Sequence, residues 1–87
     1  MGISWGLRMS YELLLRGTIA KVLGVDPEGI SATRSFFEQG IDSLSGLRIC
    51  RSLADALGHD VELDWVFDHP TIEQLAAHLE RHGAAAA

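Results

Sequence analysis

Disulfide chemistry is out of reach for this chain. Its 87 residues include one cysteine, Cys50, so no intramolecular bridge can form. A lone cysteine fits a reducing compartment, and the expected location is cytoplasmic. Runs of Lys or Arg are missing, and the net charge is −5, which argues against a nucleic-acid footprint. No apolar run approaches the roughly 18 residues of a membrane-spanning helix. Residues 1–9 are too short and too interrupted for a secretory signal. No internal repeat is present. The apolar-poor, charge-rich composition of disordered chains is also missing, since 47% of residues are hydrophobic and 22% charged. A chain of this length makes one small domain with a small core. It has little room for a deep enzyme pocket.

What is present is mostly helical pattern. Tyr11, Leu14, Leu15, Thr18, Ile19 and Val22 follow an i, i+3, i+4, i+7 rule. Ser10 is expected to cap this first helix and Gly24 to stop it. A second helix is predicted from Ser43 to about Leu57, with Ile49, Cys50, Leu53 and Leu57 as its apolar stripe and Gly58 at its end. A third long helix starts after Thr71. There Thr71-Ile-Glu-Gln74 forms a capping box, and Ile72, Leu75, Ala76 and Leu79 make the buried face. Residues 1–9 lack a clean period and are read as linker or remnant sequence. The domain proper is placed at 10–83, and 84–87 is a low-complexity tail. Trp5 is the one residue of the first segment that could instead anchor the first helix.

Two connections separate the long helices. Residues 24–42 form a loop of a length that is uncommon in compact domains and often functional. Its Ser35-Phe-Phe-Glu38 can hold one helical turn, with Phe36 or Phe37 pinning it to the core. Residues 61–69 alternate briefly but are too isolated for a sheet. They are read as a short helix around Asp64 to Phe67, with Val66 and Phe67 turned inward. The fold expected is all-α: a four-helix bundle of three main helices and one short one, with a long first loop.

The chemistry concentrates in Phe36-Phe-Glu-Gln-Gly-Ile-Asp-Ser-Leu44. Gly40 offers a backbone conformation that other residues avoid. Ser43 then stands at the exposed start of the second helix, where unpaired N–H groups and the positive end of the helix dipole favour a phosphate ester on its hydroxyl. Ser and Asp are also ordinary capping residues, so the dipeptide Asp42-Ser43 alone does not distinguish a modification site from a cap.

The wider pattern does. Gly40-Ile-Asp-Ser-Leu44 resembles the attachment motif of acyl carrier proteins, in which the serine bears 4′-phosphopantetheine. Phe36 upstream and Leu47, Ile49 and Leu53 downstream match the same family. Val66-Phe-Asp-His-Pro-Thr71, which starts 23 residues after Ser43, resembles the junction before the last helix in carrier domains of modular type I polyketide synthases. The resemblance covers roughly Tyr11 to His82. It implies a non-catalytic domain, excised from a multifunctional synthase (a transferase), that carries acyl intermediates as thioesters on an arm derived from coenzyme A. It implies Ser43 as the attachment point, with Asp42 and Leu44 beside it and Asp42 serving the transferase and its metal. The implied partners are a phosphopantetheinyl transferase, a ketosynthase, an acyltransferase and other synthase domains. Leu47, Arg48 and Arg51 are read as their docking face. The isolated domain is expected to be a monomer, with no membrane or nucleic-acid partner. Two departures stand out. Gln39 occupies a position where the family usually has Leu, which affects a loop contact. Ile49 replaces the Trp of β-branching carriers, so that chemistry is not expected.

Alternatives remain at this point. A stand-alone fatty-acid carrier is disfavoured by Arg48 and Arg51 on a helix that is generally acidic in that type. A peptide-synthetase carrier is disfavoured by the residues around Ser43. From another class, the chain could be an unmodified helical interaction module. A serine hydrolase is set aside because no Gly-x-Ser-x-Gly elbow is present and no histidine lies near Ser43 in sequence. His78 and His82 share a helix face, but no Cys or Glu-x-x-His pattern joins them to make a metal site. They are read as cations favoured by a helix C-terminus, His69 as part of a turn, and Cys50 as a small buried hydrophobe.

Overall fold

The computed structural model describes residues 3–86, with side chains from 8 to 82. Four α-helices follow in order: α1 (Ile3–Leu23), α2 (Ser43–Leu57), α3 (Leu63–Asp68) and α4 (Ile72–Ala86). There is no strand among the described residues. The long helices α1, α2 and α4 surround the core, with α1 packed on both others and the six-residue α3 bridging α2 and α4. Leu15 and Ile19 of α1, Leu53 of α2 and Ile72, Leu75 and Leu79 of α4 are buried there. This is the all-helical bundle that the apolar periods predict.

The ends of the pattern need correction. The helix α1 starts at Ile3, so the boundary drawn at residue 10 falls inside it and Ser10 is not a cap. Arg8 adds a link across that boundary, since its guanidinium donates to Glu80 Oε1 of α4 at 3.1 Å. Residues 84–86 likewise continue α4. The reading of Trp5 as an anchor lies outside the residues whose side chains are described. Elsewhere the stops hold. Gly58 ends α2 with φ +77° and its N–H donated to Ala54 O, a left-handed cap suited to glycine. Thr71 Oγ1 accepts from Gln74 N at 3.1 Å, the first half of the expected capping box.

The 24–42 loop is ordered by three buried side chains and a set of directed bonds. Ile30, Phe36 and Ile41 reach the core. The Phe36 N–H donates to Pro70 O at 2.7 Å, and the Glu73 N–H donates to Ala32 O at 3.1 Å. The loop thus satisfies a donor in the first turn of α4 that the helix cannot satisfy itself. A single 3-10 turn at Pro27–Gly29 precedes Ile30, and another at Phe37–Gln39 lies between Phe36 and Ile41. The aromatic that pins the loop is Phe36, not Phe37.

Candidate functional site

Ser43 is the first residue of α2, and three features of the chain set its position. Upstream, Gly40 has φ +94°, which a side chain would strain. Its N–H donates to Phe37 O, closing the turn, and Ile41 N donates to Phe36 O. Ile41 is then buried between exposed Gly40 and exposed Asp42. At the helix start, Asp42 is the N-cap, and its Oδ1 accepts from Ser45 N at 2.8 Å. This cap, led by the Ser45 backbone bond, holds the Asp42 carboxyl below its ordinary value. Capping therefore belongs to Asp42. The Ser43 hydroxyl is exposed and has no hydrogen-bond partner among the described residues, which leaves it free to react. Downstream, Gly46 is buried, and a Cβ there would stand 3.1 Å from Leu63 Cδ1 of α3. Absence of that Cβ lets α3 lie close to the first turns of α2.

These residues fit a phosphopantetheine ester. The hydroxyl is open to solvent, and it stands in the first turn of a fifteen-residue helix whose unpaired N–H groups favour an anion. No group of three or more metal-ligating side chains exists among the described residues. The sequence profile of the family described as "Phosphopantetheine attachment site" matches residues 14–79. The chain belongs to this family. Its members are non-catalytic carriers to which 4′-phosphopantetheine is covalently attached.

Relatives of two kinds share the likeness. Malformin synthetase mlfA of Aspergillus niger is 42% identical over 74 residues, 85% of this chain and 2% of that protein. Pikromycin polyketide synthase component PikAIII of Streptomyces venezuelae is 39% identical over 73 residues, 83% of this chain and 5% of that protein. The chain thus spans a small fraction of the length of these curated relatives. Among solved structures, a free-standing peptidyl carrier protein of Acinetobacter baumannii superposes with TM-score 0.82 at 29% identity, covering 86% of this chain and 94% of that one. An A1-type ACP domain from module 5 of MLSA1 gives 0.81 at 32% identity, covering 87% and 77%. The reading that the residues around Ser43 disfavour the peptide-synthetase type finds no support in this set.

The surface around Ser43 differs in part from expectation. Leu44 and Leu47 are exposed, at 66% and 46%, and Arg48 and Arg51 are exposed with them. Arg51 also lines an open groove with Leu47, Cys50, Ala54 and the 60–62 connection. Asp60 and Glu62 line the same groove, so acidic residues stand beside the expected basic strip. Phe67 is not inward. It is exposed and stacks on Phe37, with ring centroids 5.5 Å apart and planes 13° from parallel. Only Val66 of that pair enters the core, because six residues of helix give α3 one buried face. The Phe37–Phe67 stack ties the loop that delivers Ser43 to α3, and no periodicity could have paired two residues thirty apart.

Gln39 has a role that its departure from the family pattern did not reveal. Its Oε1 accepts from Ser31 N at 2.7 Å, while its Nε2 donates to Ser31 O at 3.1 Å and Arg34 O at 3.0 Å. A leucine would make none of these bonds. Cys50 is 2% exposed, and burial pushes its thiol up to about 11, as expected for an inert small hydrophobe. His78 is not the helix-end cation that the sequence implied. Desolvation first, then the charges of His69, Arg81 and His82, lower its pKa below the ordinary value, against a smaller opposing effect of Asp68.

Proposed function

We propose that Ser43 is the attachment point and that this carrier domain serves a modular polyketide synthase. The observation that carries the site is the unbonded, exposed hydroxyl at the start of α2, with Asp42 taking over the capping that a serine there often performs. The bound 4′-phosphopantetheine supplies the terminal thiol on which an acyl group is held as a thioester. The chain's own residues position that tether. Gly40 and Ile41 fix the turn, Asp42 fixes the helix start, and the exposed face keeps Ser43 open to a phosphopantetheinyl transferase.

The core gap lined by Ile19, Phe36, Ile41, Ile49, Val66 and Leu75 has no room for even a water-sized body. Cargo is therefore carried outside the bundle unless helices part. Tethering raises the local concentration of substrate for successive catalytic domains, and each contact must be weak enough to release. We place the contacts of ketosynthase and acyltransferase on Leu44 and Leu47, with Arg48 and Arg51 steering the approach. The setting is a much larger cytoplasmic synthase. The single buried cysteine supports a reducing milieu, and the small share of each relative that the chain spans supports a multidomain parent.

The polyketide assignment is supported by the PikAIII likeness and by the Val66–Thr71 motif. A peptide-synthetase setting has its own support in the likeness to malformin synthetase. Incubation with coenzyme A and a phosphopantetheinyl transferase, read by intact mass, tests the site. Wild type should gain one arm and Ser43→Ala none; an Ala variant that still gains the mass refutes the assignment. The holo protein offered an acyltransferase with malonyl-coenzyme A, and separately an adenylation domain with amino acid and ATP, should load from the first. Loading only from the second overturns the polyketide reading while leaving Ser43 in place.

A further inference from the structure

All four histidines of the chain join one tryptophan in a row of rings: His78 and His82 meet Trp65, while His69 packs on His78 and His59 on His82. His59 comes from the connection before α3, Trp65 from α3, His69 from the α3–α4 junction, and His78 and His82 from α4. His69 stacks on His78 with ring centroids 4.4 Å apart and planes 19° from parallel. Trp65 meets His78 edge-on at 4.6 Å and His82 at 4.8 Å. His59 closes the row against His82 at 5.0 Å, its Nδ1 placed 2.9 Å from Asp60 O. Trp65 of α3 thus rests on α4 through two titratable rings.

This stack accommodates neutral imidazoles and tolerates added protons poorly. His78 Nε2 is buried without any hydrogen-bond partner. In an imidazolium both ring nitrogens carry protons, so that atom would become a buried donor with no acceptor, which is unfavourable. A single imidazolium against Trp65 gains some cation–π attraction. A second one would face the first across 4.4 Å, and Arg81 adds a further positive charge, while Asp68 favours the His78 cation to a smaller extent. The lowered His78 pKa agrees with this geometry. The sign follows: a lowered folded-state pKa makes the neutral stack fully stabilising above about 6.5, the unfolded histidine value. That stabilisation is lost as pH falls from there through the folded pKa.

We propose that the ring stack is a proton-operated latch on α3, in which proton uptake by His78 opens the α3–α4 contact and carries Phe67 away from Phe37. The helix is suited to this. It is six residues long, it puts one residue, Val66, fully into the core, and its other holds are the Leu63 contact at Gly46 and the two ring stacks. Opening it would alter the surface next to the loop that presents Ser43, so acidification changes what a partner meets without unfolding α1, α2 or α4.

The test is a pH titration of the whole chain from 7.5 to 5.0 by nuclear magnetic resonance, with circular dichroism in parallel. The His78 ring protons should shift. Over the same range the Phe37–Phe67 ring cross-peaks should weaken at least several-fold and the α3 amides should exchange faster, with far-UV ellipticity largely kept. His78→Phe keeps a ring but cannot take the proton, so it should move the loss of the Phe37–Phe67 cross-peaks to lower pH or abolish it. His69→Gln should move it in the same direction by removing the stacked partner. Three results would overturn the latch: histidines that titrate while the Phe37–Phe67 cross-peaks persist, the same transition in wild type and both variants, or loss of far-UV ellipticity along the same curve.

Discussion

At the residue scale, the site divides work between neighbours. Asp42 caps, Gly40 turns, Ile41 anchors, and Ser43 is left unbonded. Ser43→Ala should accordingly leave stability within about 0.5 kcal/mol of wild type, less than the loss expected for a true capping serine. Cys50 makes a second residue-scale prediction. A buried thiol with its pKa near 11 is almost wholly protonated at neutral pH, and the thiolate is the reactive form. The native apo protein should show no rapidly reacting thiol with a disulfide reagent, and the phosphopantetheinylated protein should show one. Denaturant should expose a further thiol in both. Fast reaction of the native apo protein would place Cys50 at the surface and refute the packing of α2.

At the element scale, the spacing between α2 and α3 depends on Gly46. A methyl group there comes within 3.1 Å of Leu63 Cδ1, and that atom ends a flexible side chain that can turn aside. Gly46→Ala should therefore be close to neutral, since the helix propensity gained, about 1 kcal/mol, offsets the crowding. Gly46→Leu cannot be absorbed this way and should cost about 1–3 kcal/mol by overpacking, measured by chemical denaturation. It should also shift the Trp65 environment, because α3 is the element displaced. A Leu variant as stable as wild type would mean that Leu63 does not seat α3 on α2. The Gln39 bonds act on the same scale: one amide side chain replaces an apolar loop contact with three directed bonds, fastening the turn at Ser31 to the turn before Gly40.

On the scale of the whole molecule, charge is the property that a partner senses first. The chain carries a net −5, and Arg48 and Arg51 are exposed cations on the helix that bears Ser43. Asp60 and Glu62 line the same groove as Arg51, so under the proposed docking face Arg48 is expected to steer more strongly than Arg51. The double variant Arg48→Glu, Arg51→Glu should melt within a few degrees of wild type, since exposed charges contribute little to stability. It should slow acyl transfer from the cognate ketosynthase or acyltransferase at low salt. The defect should shrink as ionic strength screens the interaction. Equal transfer rates at low salt would remove both arginines from the docking face and leave the Phe37–Phe67 surface as its candidate.

Local order was legible because it is written locally. The spans of α2 and α3, the caps at Thr71 and Gly58, the buried stripe through Ile49 and Leu53, and the Gly40–Leu44 motif all rest on residues a few positions apart. Period, capping chemistry and left-handed glycine are properties of neighbours in sequence. The start of α1 was missed because residues 3–9 lack an amphipathic period, yet helix needs no such period where the turn that follows can simply be extended backwards. Tertiary structure alone decided the rest. It turned Phe67 out onto Phe37, placed Arg51 in one groove with Asp60 and Glu62, gave Gln39 its partners on Ser31 and Arg34, and joined four histidines and Trp65 in one row of rings. Each of these joins residues from different elements, and the way helices rotate and seat against one another is fixed by packing the common core, which no single segment encodes.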